Sequence, residues 1–304
     1  MHAAELAVGR WPGLLVQLGI ERNLLTGKHA PCPACEGRDR FRFDDKDGRG
    51  TFFCSHCGAG DGFKLLQLVK GWSFKQAASE VEGLVGTVQA GAAKPVQSDA
   101  AKVEACRRIW RESQAVVVGD PVHQYLARRT AIDAVPACIR LHAALAYRHD
   151  HGSVTRHPAM IAKVQDADGN GVAIHRTYLA SDGNKANVSV VKKIVGTIPP
   201  SSAVRLSQPS STIGIAEGIE TALSAFVQFG VPVWSCISAN GMEKWTPPTG
   251  TERVLVFGDN DLNGTGQAAA WNLAKRLMAS GVAVEVKIPK QPGTDWADFL
   301  KEQT

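Results

Sequence analysis

The chain has 304 residues, 44% of them apolar, a formal net charge of +5 and seven cysteines. This length allows two or three domains, and the apolar fraction is enough for real hydrophobic cores. Apolar runs fall short of the roughly 18 residues that a membrane span needs, and the N-terminus lacks the pattern of a secretion signal, so we expect a cytoplasmic protein without membrane contact. The odd number of cysteines fits metal ligands and buried thiols better than a disulfide framework.

The charge is distributed unevenly along the chain. Residues 100–210 carry fifteen Lys and Arg against eight Asp and Glu, whereas residues 211–304 carry seven against ten. This distribution suits a protein that binds a polyanion with its basic middle segment and places the phosphates of that polyanion near metal ions held by the acidic C-terminal segment. A plainer interpretation, in which the surplus arginines only solvate helix surfaces, stays open.

The first signal of a metal site is a pair of Cys-x-x-Cys motifs. Cys32 and Cys35 are followed, after eighteen intervening residues, by Cys54 and Cys57. Each tight turn presents two thiolates, and four thiolates complete a tetrahedral structural zinc site, which is closed and therefore not catalytic. Two neighbouring histidines could in principle replace a thiolate.

The segment between the two motifs predicts a β-hairpin. Strands are expected at residues 40–43 and 50–53, and a turn-rich loop joins them. This hairpin carries Arg40 and Arg42 together with phenylalanines, which suits contact with single-stranded nucleic acid through charge on phosphate and rings on bases. On at least one face, however, the phenylalanines must form the small core of the ribbon.

Helices are predicted on both sides of this ribbon. A helical apolar face covers residues 5–25 and is interrupted by a proline. A helix is expected over residues 63–70, and Ser73 and Gln76 form a capping box that opens another helix ending near residue 84. Residues 86–100 are small and polar without apolar periodicity, which is typical of a flexible linker.

The middle of the chain predicts a mixed α and β segment. Helices are expected at residues 101–117 and 121–129, and strands at residues 160–164 and 172–179, the latter two joined by a hairpin turn. His175 is interpreted as a structural histidine. Three further cysteines in apolar surroundings are interpreted as buried thiols: Cys106, Cys138 and Cys236.

Three short apolar runs near the C-terminus, at residues 213–216, 254–257 and 282–288, are each followed by acidic residues. Each run is typical of a strand buried on both faces of a parallel sheet. Helical patterns at residues 219–229 and 266–280 lie between them. This alternation predicts a parallel sheet with right-handed crossovers.

Glu217, Asp259 and Asp261 therefore lie at the carboxyl ends of strands, along the edge where open α/β sheets bind ligands. Carboxylates gathered there repel one another unless a cation joins them, and Mg²⁺ typically takes carboxylate oxygens, waters and substrate phosphates. Residues 259–264 could instead be a polar turn. An EF-hand calcium loop is disfavoured, because Ala270 stands where that loop needs a bidentate Glu.

These carboxylates, together with Asp295-Trp-Ala-Asp298, resemble the Toprim fold shared by DnaG-type primases, topoisomerases and some nucleases. The resemblance implies that Glu217 acts as a general acid or base or organises metal, and that Asp259 and Asp261 hold Mg²⁺ or Mn²⁺. It implies Asp295 as a metal neighbour, although a tryptophan follows where bacterial primases usually have a proline. Asp298 is a further possible ligand. Glu220 is interpreted instead as an acid that stabilises a helix N-terminus.

The ribbon from Cys32 to Cys57 looks like the N-terminal zinc ribbon of phage and plasmid primases, in which the ribbon recognises a short template sequence. Cys35 stands where bacterial ribbons often have a histidine, which is closer to the phage pattern. The middle segment is similar to the domain that precedes Toprim in these primases. That similarity implies basic residues that hold the template and the incoming nucleotide, with these candidates: Arg176, Lys192, Lys193 and Arg205.

The chain is therefore interpreted as a zinc ribbon (1–86), a linker (87–100), a basic α+β domain (101–210) and an α/β Toprim domain (211–304). The predicted function is a DNA primase of phage, plasmid or integrated-element type, which makes short RNA primers from ribonucleoside triphosphates on single-stranded DNA. The sequence has no P-loop motif, so a replicative helicase would be a separate partner in a primosome. The alternatives are a metal-dependent Toprim nuclease and a non-catalytic DNA-binding replication module.

Overall fold

The structure is a computed structural model that describes residues 3–88, 99–132, 134–149 and 152–301. The chain divides into two compact units, residues 1–96 and residues 97–304. None of the helices in the described ranges combines the length and apolar character that a membrane crossing requires.

The first unit combines short helices with a four-stranded antiparallel sheet in the order β1-β2-β3-β4. Its elements are α1 (Ala3–Ala7), α2 (Trp11–Gln17), β1 (His29–Ala30), β2 (Phe41–Phe43), β3 (Phe52–Cys54), β4 (Gly58–Gly60), α3 (Gly62–Lys70) and α4 (Phe74–Leu84). Short 3-10 turns cover Arg22–Leu25, Lys46–Gly48 and Val85–Thr87. The predicted hairpin is confirmed, and so is the capping box, because Ser73 and Gln76 make both of its hydrogen bonds.

The expectation for residues 5–25 was wrong in its extent. Two helices stand there, and Gly9 between them adopts the left-handed φ of 73°. Pro12 lies in the first turn of α2, where its missing N–H is no loss because the first amide groups of a helix have no partner within the helix. The proline therefore begins a helix here and does not interrupt one.

Trp11 is the central side chain of this unit. Its side chain is 2% exposed and packs edge-on against Phe63 at 4.7 Å between ring centroids. Gly62 lies directly under the indole, since a Cβ there would come within 2.1 Å of Trp11 Cε3. The same hydrophobic core includes the buried Cys32 and Cys54, so the cysteine cluster belongs to the core of the unit.

The second unit begins with a five-stranded antiparallel sheet in the order β5-β6-β7-β8-β9. Its elements are α5 (Asp99–Arg111), β5 (Gln114–Ala115), α6 (Pro121–Thr130), β6 (Ile139–Arg148), β7 (Val154–Gln165), β8 (Gly171–Tyr178) and β9 (Lys192–Gly196). The predicted helix over residues 101–117 was wrong at its end. It stops at Arg111, and Gln114 pairs with Leu141 of β6, because the β-branched run that follows favours extended backbone.

A four-stranded parallel sheet completes this unit in the order β11-β10-β12-β13. Its elements are β10 (Thr212–Ala216), α7 (Ile219–Phe229), β11 (Val233–Ser235), α8 (Ala239–Lys244), β12 (Arg253–Phe257), α9 (Thr265–Ala279), β13 (Ala283–Lys287) and α10 (Trp296–Lys301). The predicted fold class, a parallel α/β domain after a zinc ribbon and an α+β domain, is confirmed. Strand β11 and helix α8 were not predicted.

One face of the antiparallel sheet packs against α6 and the helices of the parallel sheet in a shared core, and α5 covers the other face. Successive side chains of a strand point to opposite faces of the sheet, so adjacent residues of β9 have different surroundings. Lys192 pairs with Thr177 and lies on the face of the shared core, whereas Lys193 pairs with Arg176 on the face of α5.

The predicted linker falls mostly on residues 89–98, which lie outside the described residues. The residues at the two ends of the predicted linker have regular secondary structure. Thr87 ends a 3-10 turn, and Asp99 begins α5.

We expect Trp11→Ala to lower the free energy of unfolding by about 3–5 kcal/mol, because the substitution leaves a large cavity in the first unit. Trp271 is the matched control, since its side chain is 57% exposed. Trp271→Ala should change stability by no more than about 0.5 kcal/mol. Urea unfolding followed by circular dichroism measures both, and equal effects of the two substitutions would contradict this description of the core.

Candidate functional site

Carboxylates that follow neighbouring parallel strands meet at one cavity of about 250 Å³. Glu217 follows β10, Asp259 follows β12, and Asp295 ends the loop after β13; all three line this cavity. Asp261 does not line this cavity, and its Oδ2 accepts a hydrogen bond from the backbone N–H of Gly266 at 2.9 Å. The structure therefore brings three of the four predicted catalytic carboxylates to one place and puts the fourth beside it.

Asp298 lies in the first turn of α10, next to the cavity. Its Oδ2 accepts a long hydrogen bond of 3.4 Å from the backbone N–H of Asp295. Asp298 does not line the cavity, so it acts on the site through its charge on Asp295.

The segment after β11 holds Glu217 in place. The carbonyl oxygen of Glu217 accepts hydrogen bonds from Ser235 Oγ at 2.7 Å and from the backbone N–H of Ile237 at 2.8 Å. The backbone N–H of Ala239, at the start of α8, donates to the Glu217 carboxylate. Ile237 has a φ of 63°, which is costly for a β-branched residue. This strained turn lines the cavity and was missed by sequence reasoning, because β11 is only three residues long.

Three carboxylates of the site have raised pKa values. Burial raises the pKa of Asp259 to about 7, and the nearby charges of Asp295, Glu217 and Asp261 add to the effect. Burial and Asp261 raise the pKa of Glu217, while burial and Asp298 raise that of Asp295. The protein's own groups therefore leave the negative charge at this edge incompletely compensated.

A hard divalent cation fits this donor set. Asp259 Oδ1 is buried and has no hydrogen-bond partner among the described residues, which a simple polar turn does not explain. Among the described residues, the four cysteines form the one group of three or more side chains that could hold a metal ion by direct ligands alone. The carboxylates thus surround a wider site, which suits Mg²⁺ because that ion keeps several waters and uses few carboxylates.

Cations from β9, from the segment between β8 and β9 and from α6 also line this cavity: Lys192, Lys185 and Arg129. Lys192 Nζ lies 2.9 Å from Glu220 Oε2, and Tyr125 donates its hydroxyl proton to Glu220 Oε1 at 2.5 Å. Burial would raise the pKa of Glu220, but Lys192 and the bond from Tyr125 lower it to about 2. Glu220 lies in the first turn of α7, as predicted, and it is in addition a buried ion-pair partner of Lys192, which was not predicted.

Arg129 was not predicted as a site residue. Its guanidinium lies over the Tyr125 ring at 5.7 Å, and its Nε is buried without a hydrogen-bond partner in the described part of the chain. Arg129 and Lys185 also line an adjoining cavity of about 320 Å³, to which Arg128 contributes. Two adjacent arginines near the end of a helix are common on solvent-exposed helices. The sequence therefore does not indicate that Arg129 lines a cavity.

His175 also lines the acidic cavity. Burial and the neighbouring Lys192 lower its pKa to about 4, so it is neutral near pH 7. Of the three predicted buried thiols, Cys106 and Cys236 are buried and Cys138 is half-buried.

The other predicted basic residues of the middle segment do not line the acidic cavity. Arg176 Nη2 donates to the carbonyl of Ile194 at 3.3 Å, and Lys193 Nζ lies 3.7 Å from the centroid of the Tyr147 ring. Arg205 Nη2 donates to the carbonyls of Asp166 and Ala167, and its guanidinium stacks over Trp234 at 4.7 Å. Of the four candidates, only Lys192 lines the acidic cavity.

The four cysteines fit a structural zinc ion. Cys32 and Cys57 have Sγ atoms 3.9 Å apart, Cys35 and Cys54 have Sγ atoms 3.8 Å apart, and all four lie within 4.8 Å of one another. A tetrahedron with Zn–S bonds of about 2.3 Å requires S–S separations of about 3.8 Å. The set consists of cysteines alone, so no histidine replaces a thiolate.

The sheet of the zinc ribbon has one buried and one exposed face. Phe41, Phe43 and Phe52 are buried, whereas Arg42 and its cross-strand partner Phe53 are exposed, the latter by 49%. Arg40, just before β2, is also exposed. Cation and ring thus stand side by side on the open face, as a surface for single-stranded nucleic acid requires.

Comparison with known families and structures gives three matching domains along the chain. Residues 27–63 match the zinc-binding domain of primase-helicase, residues 100–206 match a domain of unknown function (DUF7146), and residues 212–304 match the Toprim domain. The combination of a primase zinc ribbon with a Toprim domain confirms the resemblance to DnaG-type primases.

Several solved structures are similar to the chain at low identity. The zinc-binding and RNA polymerase domains of the Aquifex aeolicus primase share 15% identity, with 99% of this chain and 82% of that chain covered and a TM-score of 0.45. The primase fragment of the bacteriophage T7 primase-helicase shares 15%, with 91% and 95% covered and a TM-score of 0.40. The RNA polymerase domain of the Mycobacterium tuberculosis primase shares 14%, with 67% and 78% covered and a TM-score of 0.42.

We expect Cys54→Ser to remove the zinc and destabilise the first unit, because this thiolate is both a ligand and part of the core. Cys106→Ser is the matched control, since that buried thiol lies in the second unit and donates to the carbonyl of Val195. Zinc content by plasma mass spectrometry should be one ion per wild-type chain and per control chain. A Cys54→Ser protein that keeps one zinc ion with wild-type stability would contradict this assignment.

We expect the free energy of unfolding of the zinc-loaded, Mg²⁺-free protein to fall as pH rises from about 4 to about 7. The raised pKa of Asp259 means that the folded state keeps its proton in this window while the unfolded state has released it. Asp259→Asn should make this decrease smaller, since only Glu217 and Asp295 then contribute to it, and it should stabilise the zinc-loaded, Mg²⁺-free protein at pH 8 by on the order of 2–4 kcal/mol. Added Mg²⁺ should stabilise the wild type and not the variant.

Denaturant titrations at fixed pH values, with and without Mg²⁺, measure this dependence. Asp168→Asn serves as control, because Asp168 is an exposed residue of the turn after β7 and should leave the pH profile unchanged. Equal profiles for wild type and Asp259→Asn would contradict the electrostatic description of the cavity.

Proposed function

We propose that this chain is a DNA primase that joins ribonucleotides into short RNA primers on a single-stranded DNA template. The observation that carries the proposal is one cavity in which carboxylates from three neighbouring strand ends face Lys192, Lys185 and Arg129. A nucleoside triphosphate needs both halves of such a cavity, since its phosphates bind cations and its bound metal binds carboxylates. We propose that separate segments of the chain carry the separate functions, with these bounds: zinc ribbon (1–86), linker (87–100), basic domain (101–210) and Toprim domain (211–304).

Asp259, Asp261, Asp295 and Asp298 are proposed to hold Mg²⁺ or Mn²⁺, with Asp259 as the central ligand because its Oδ1 is buried and unpaired among the described residues. When bound, such an ion neutralises charge on the triphosphate and favours in-line attack by a 3′-hydroxyl. Asp261 and Asp298 lie beside the cavity and would complete the negative charge around it.

Glu217 is proposed as the proton acceptor. The pKa of its carboxyl group is raised toward neutral pH, and an acid or base is most effective when its pKa lies near the working pH. In the reaction, the 3′-hydroxyl would lose its proton to the Glu217 carboxylate while its oxygen bonds to the α-phosphorus and pyrophosphate leaves. The hydrogen bonds from Ser235, Ile237 and Ala239 hold Glu217 for this role.

Lys192 and Arg129 are proposed to bind the triphosphate. Glu220 fixes Lys192 at the cavity wall, and Tyr125 lies under the Arg129 guanidinium, so both cations are held in place before substrate arrives. Placed this way, they would bind negative phosphate oxygens with little loss of side-chain freedom. Lys185 lines both adjoining cavities and would extend the phosphate contacts.

The open face of the zinc ribbon is proposed to contact the template. Arg42 would bind a phosphate and Phe53 would stack on a base. The other predicted basic residues are proposed to contact the template backbone: Arg40, Arg176, Lys193 and Arg205. We further propose that the primase serves a phage, a plasmid or an integrated element, and that a separate replicative helicase works with it.

The test is primer synthesis with labelled ribonucleotides and Mg²⁺ on single-stranded DNA of mixed sequence. Asp259→Asn should lower the rate by at least about 100-fold, because it removes charge where the reaction needs it most. Arg129→Ala should act mainly by raising KM for the nucleotide. Arg107→Ala, an exposed arginine of α5 that does not line the cavity, should stay within about twofold of the wild type.

The same assay separates the alternative functions. If the template is shortened in the presence of metal and without nucleotides, and Asp259→Asn abolishes this cleavage, the chain is a Toprim nuclease and not a primase. Template binding that depends on the ribbon, with neither synthesis nor cleavage when a helicase partner is supplied, would leave a non-catalytic binding module. Short products that survive Asp259→Asn would refute the assignment of the site.

A further inference from the structure

Asn260 stands between the two aspartates of the loop after β12, and its side chain bonds to other parts of the domain. Asn260 Nδ2 donates to the carbonyl of Pro289 at 2.8 Å, in the loop after β13. Asn260 Oδ1 accepts from Gln267 Nε2 at 2.7 Å, in the first turns of α9. One side chain thus connects three segments around the acidic cavity.

The backbone of Asn260 adds two more bonds to the loop after β13. Its N–H donates to the carbonyl of Thr294 at 3.0 Å, and its carbonyl accepts from the N–H of Gly293 at 2.6 Å. Thr294 immediately precedes Asp295 in the sequence. These bonds connect the segment just before Asp295 to the loop that carries Asp259, while the Asp295 carboxylate itself accepts from the backbone N–H groups of Ala297 and Asp298 at 2.7 and 3.0 Å.

Helix α9 completes this arrangement from the other side. Gln267 Nε2 also donates to the carbonyl of Asp261 at 3.0 Å. A Cβ at Gly266 would lie 2.7 Å from the backbone oxygen of Asp259, so the helix approaches the loop as closely as a glycine allows. The loop is held between α9 and the loop after β13.

An ordinary turn residue would behave differently, and the same loop contains one. Asn263 Oδ1 accepts from the N–H of Thr265, two residues on, which is the local bond by which asparagine usually shapes a turn. Asn260 instead bonds to Gln267 of α9 and, through its side chain and backbone, to residues 29 to 34 positions away. Its contacts join two strand ends and leave the shape of its own turn to other residues.

We propose that Asn260 is a positioning residue that fixes the two acidic loops at the separation a divalent cation requires. The inference rests on the proposed metal site. Without Asn260, repulsion between the carboxylates of Asp259 and Asp295 would move the loops apart. Residues that orient metal ligands in this way typically change metal affinity by 10–100-fold when they are replaced.

The test is the affinity of the full zinc-loaded chain for Mn²⁺, measured by electron paramagnetic resonance of the free ion. Asn260→Ala should weaken binding by about 10–100-fold, and Asn263→Ala, a matched change in the same loop, should leave it unchanged. Gln267→Ala removes the bonds to Asn260 Oδ1 and to the Asp261 carbonyl but keeps the bonds of Asn260 to the loop after β13, so it should weaken binding by a smaller factor. Thermal unfolding of each variant shows that the affinities refer to folded protein.

The outcomes separate this inference from the proposed site. If Asn260→Ala binds Mn²⁺ like the wild type while Asp259→Asn does not, the positioning role is refuted and the metal site stands. If Asp259→Asn also binds like the wild type, the metal site itself fails. Primer synthesis by Asn260→Ala that recovers at high Mg²⁺ supports positioning, whereas a purely structural role would lower the unfolding temperature without changing the Mn²⁺ affinity of the folded protein.

Discussion

Mutual repulsion among buried carboxylates is the constraint on which the second unit depends. Glu217, Asp259 and Asp295 converge because the carboxyl ends of neighbouring parallel strands share an edge. Burial and proximity raise the pKa values of all three, so the fold alone makes their ionised forms unfavourable. The surrounding hydrogen bonds hold the carboxylates together, and a bound cation would make this arrangement favourable.

The antiparallel sheet supplies the opposite charge. Lys192 comes from its last strand and reaches the cavity through a bond to Glu220, the second residue of α7. This ion pair is buried on the Glu220 side, and Tyr125 of α6 satisfies the remaining oxygen, which such a pair needs if it is to offset the cost of desolvation. The pair therefore orients a cation and also joins the two sheets at the cavity.

Much of the fold could be predicted from the sequence, because the apolar runs that became β10, β12 and β13 are distinct and the first two are followed within two residues by an acid. The role of the basic residues could not. Strand β9 has only two consecutive apolar residues, Ile194 and Val195, too few to predict a strand, so the sequence did not show that Lys192 and Lys193 point to opposite faces. The buried contacts of Arg129, and the contacts of Asn260 with residues 29 to 34 positions away, depend on tertiary packing that local patterns do not contain.

The two metal sites obey different physical rules, and the difference matches their proposed roles. The zinc site is closed, because four thiolates at tetrahedral separations lie against the hydrophobic core of their unit. The carboxylate site is lined by acids and by cations, so a divalent ion there would keep open positions for substrate oxygens. A cation that binds only the folded state stabilises it in proportion to its occupancy. Residues such as Asn260 then set how much of the repulsion among the carboxylates a bound cation relieves and how tightly it binds.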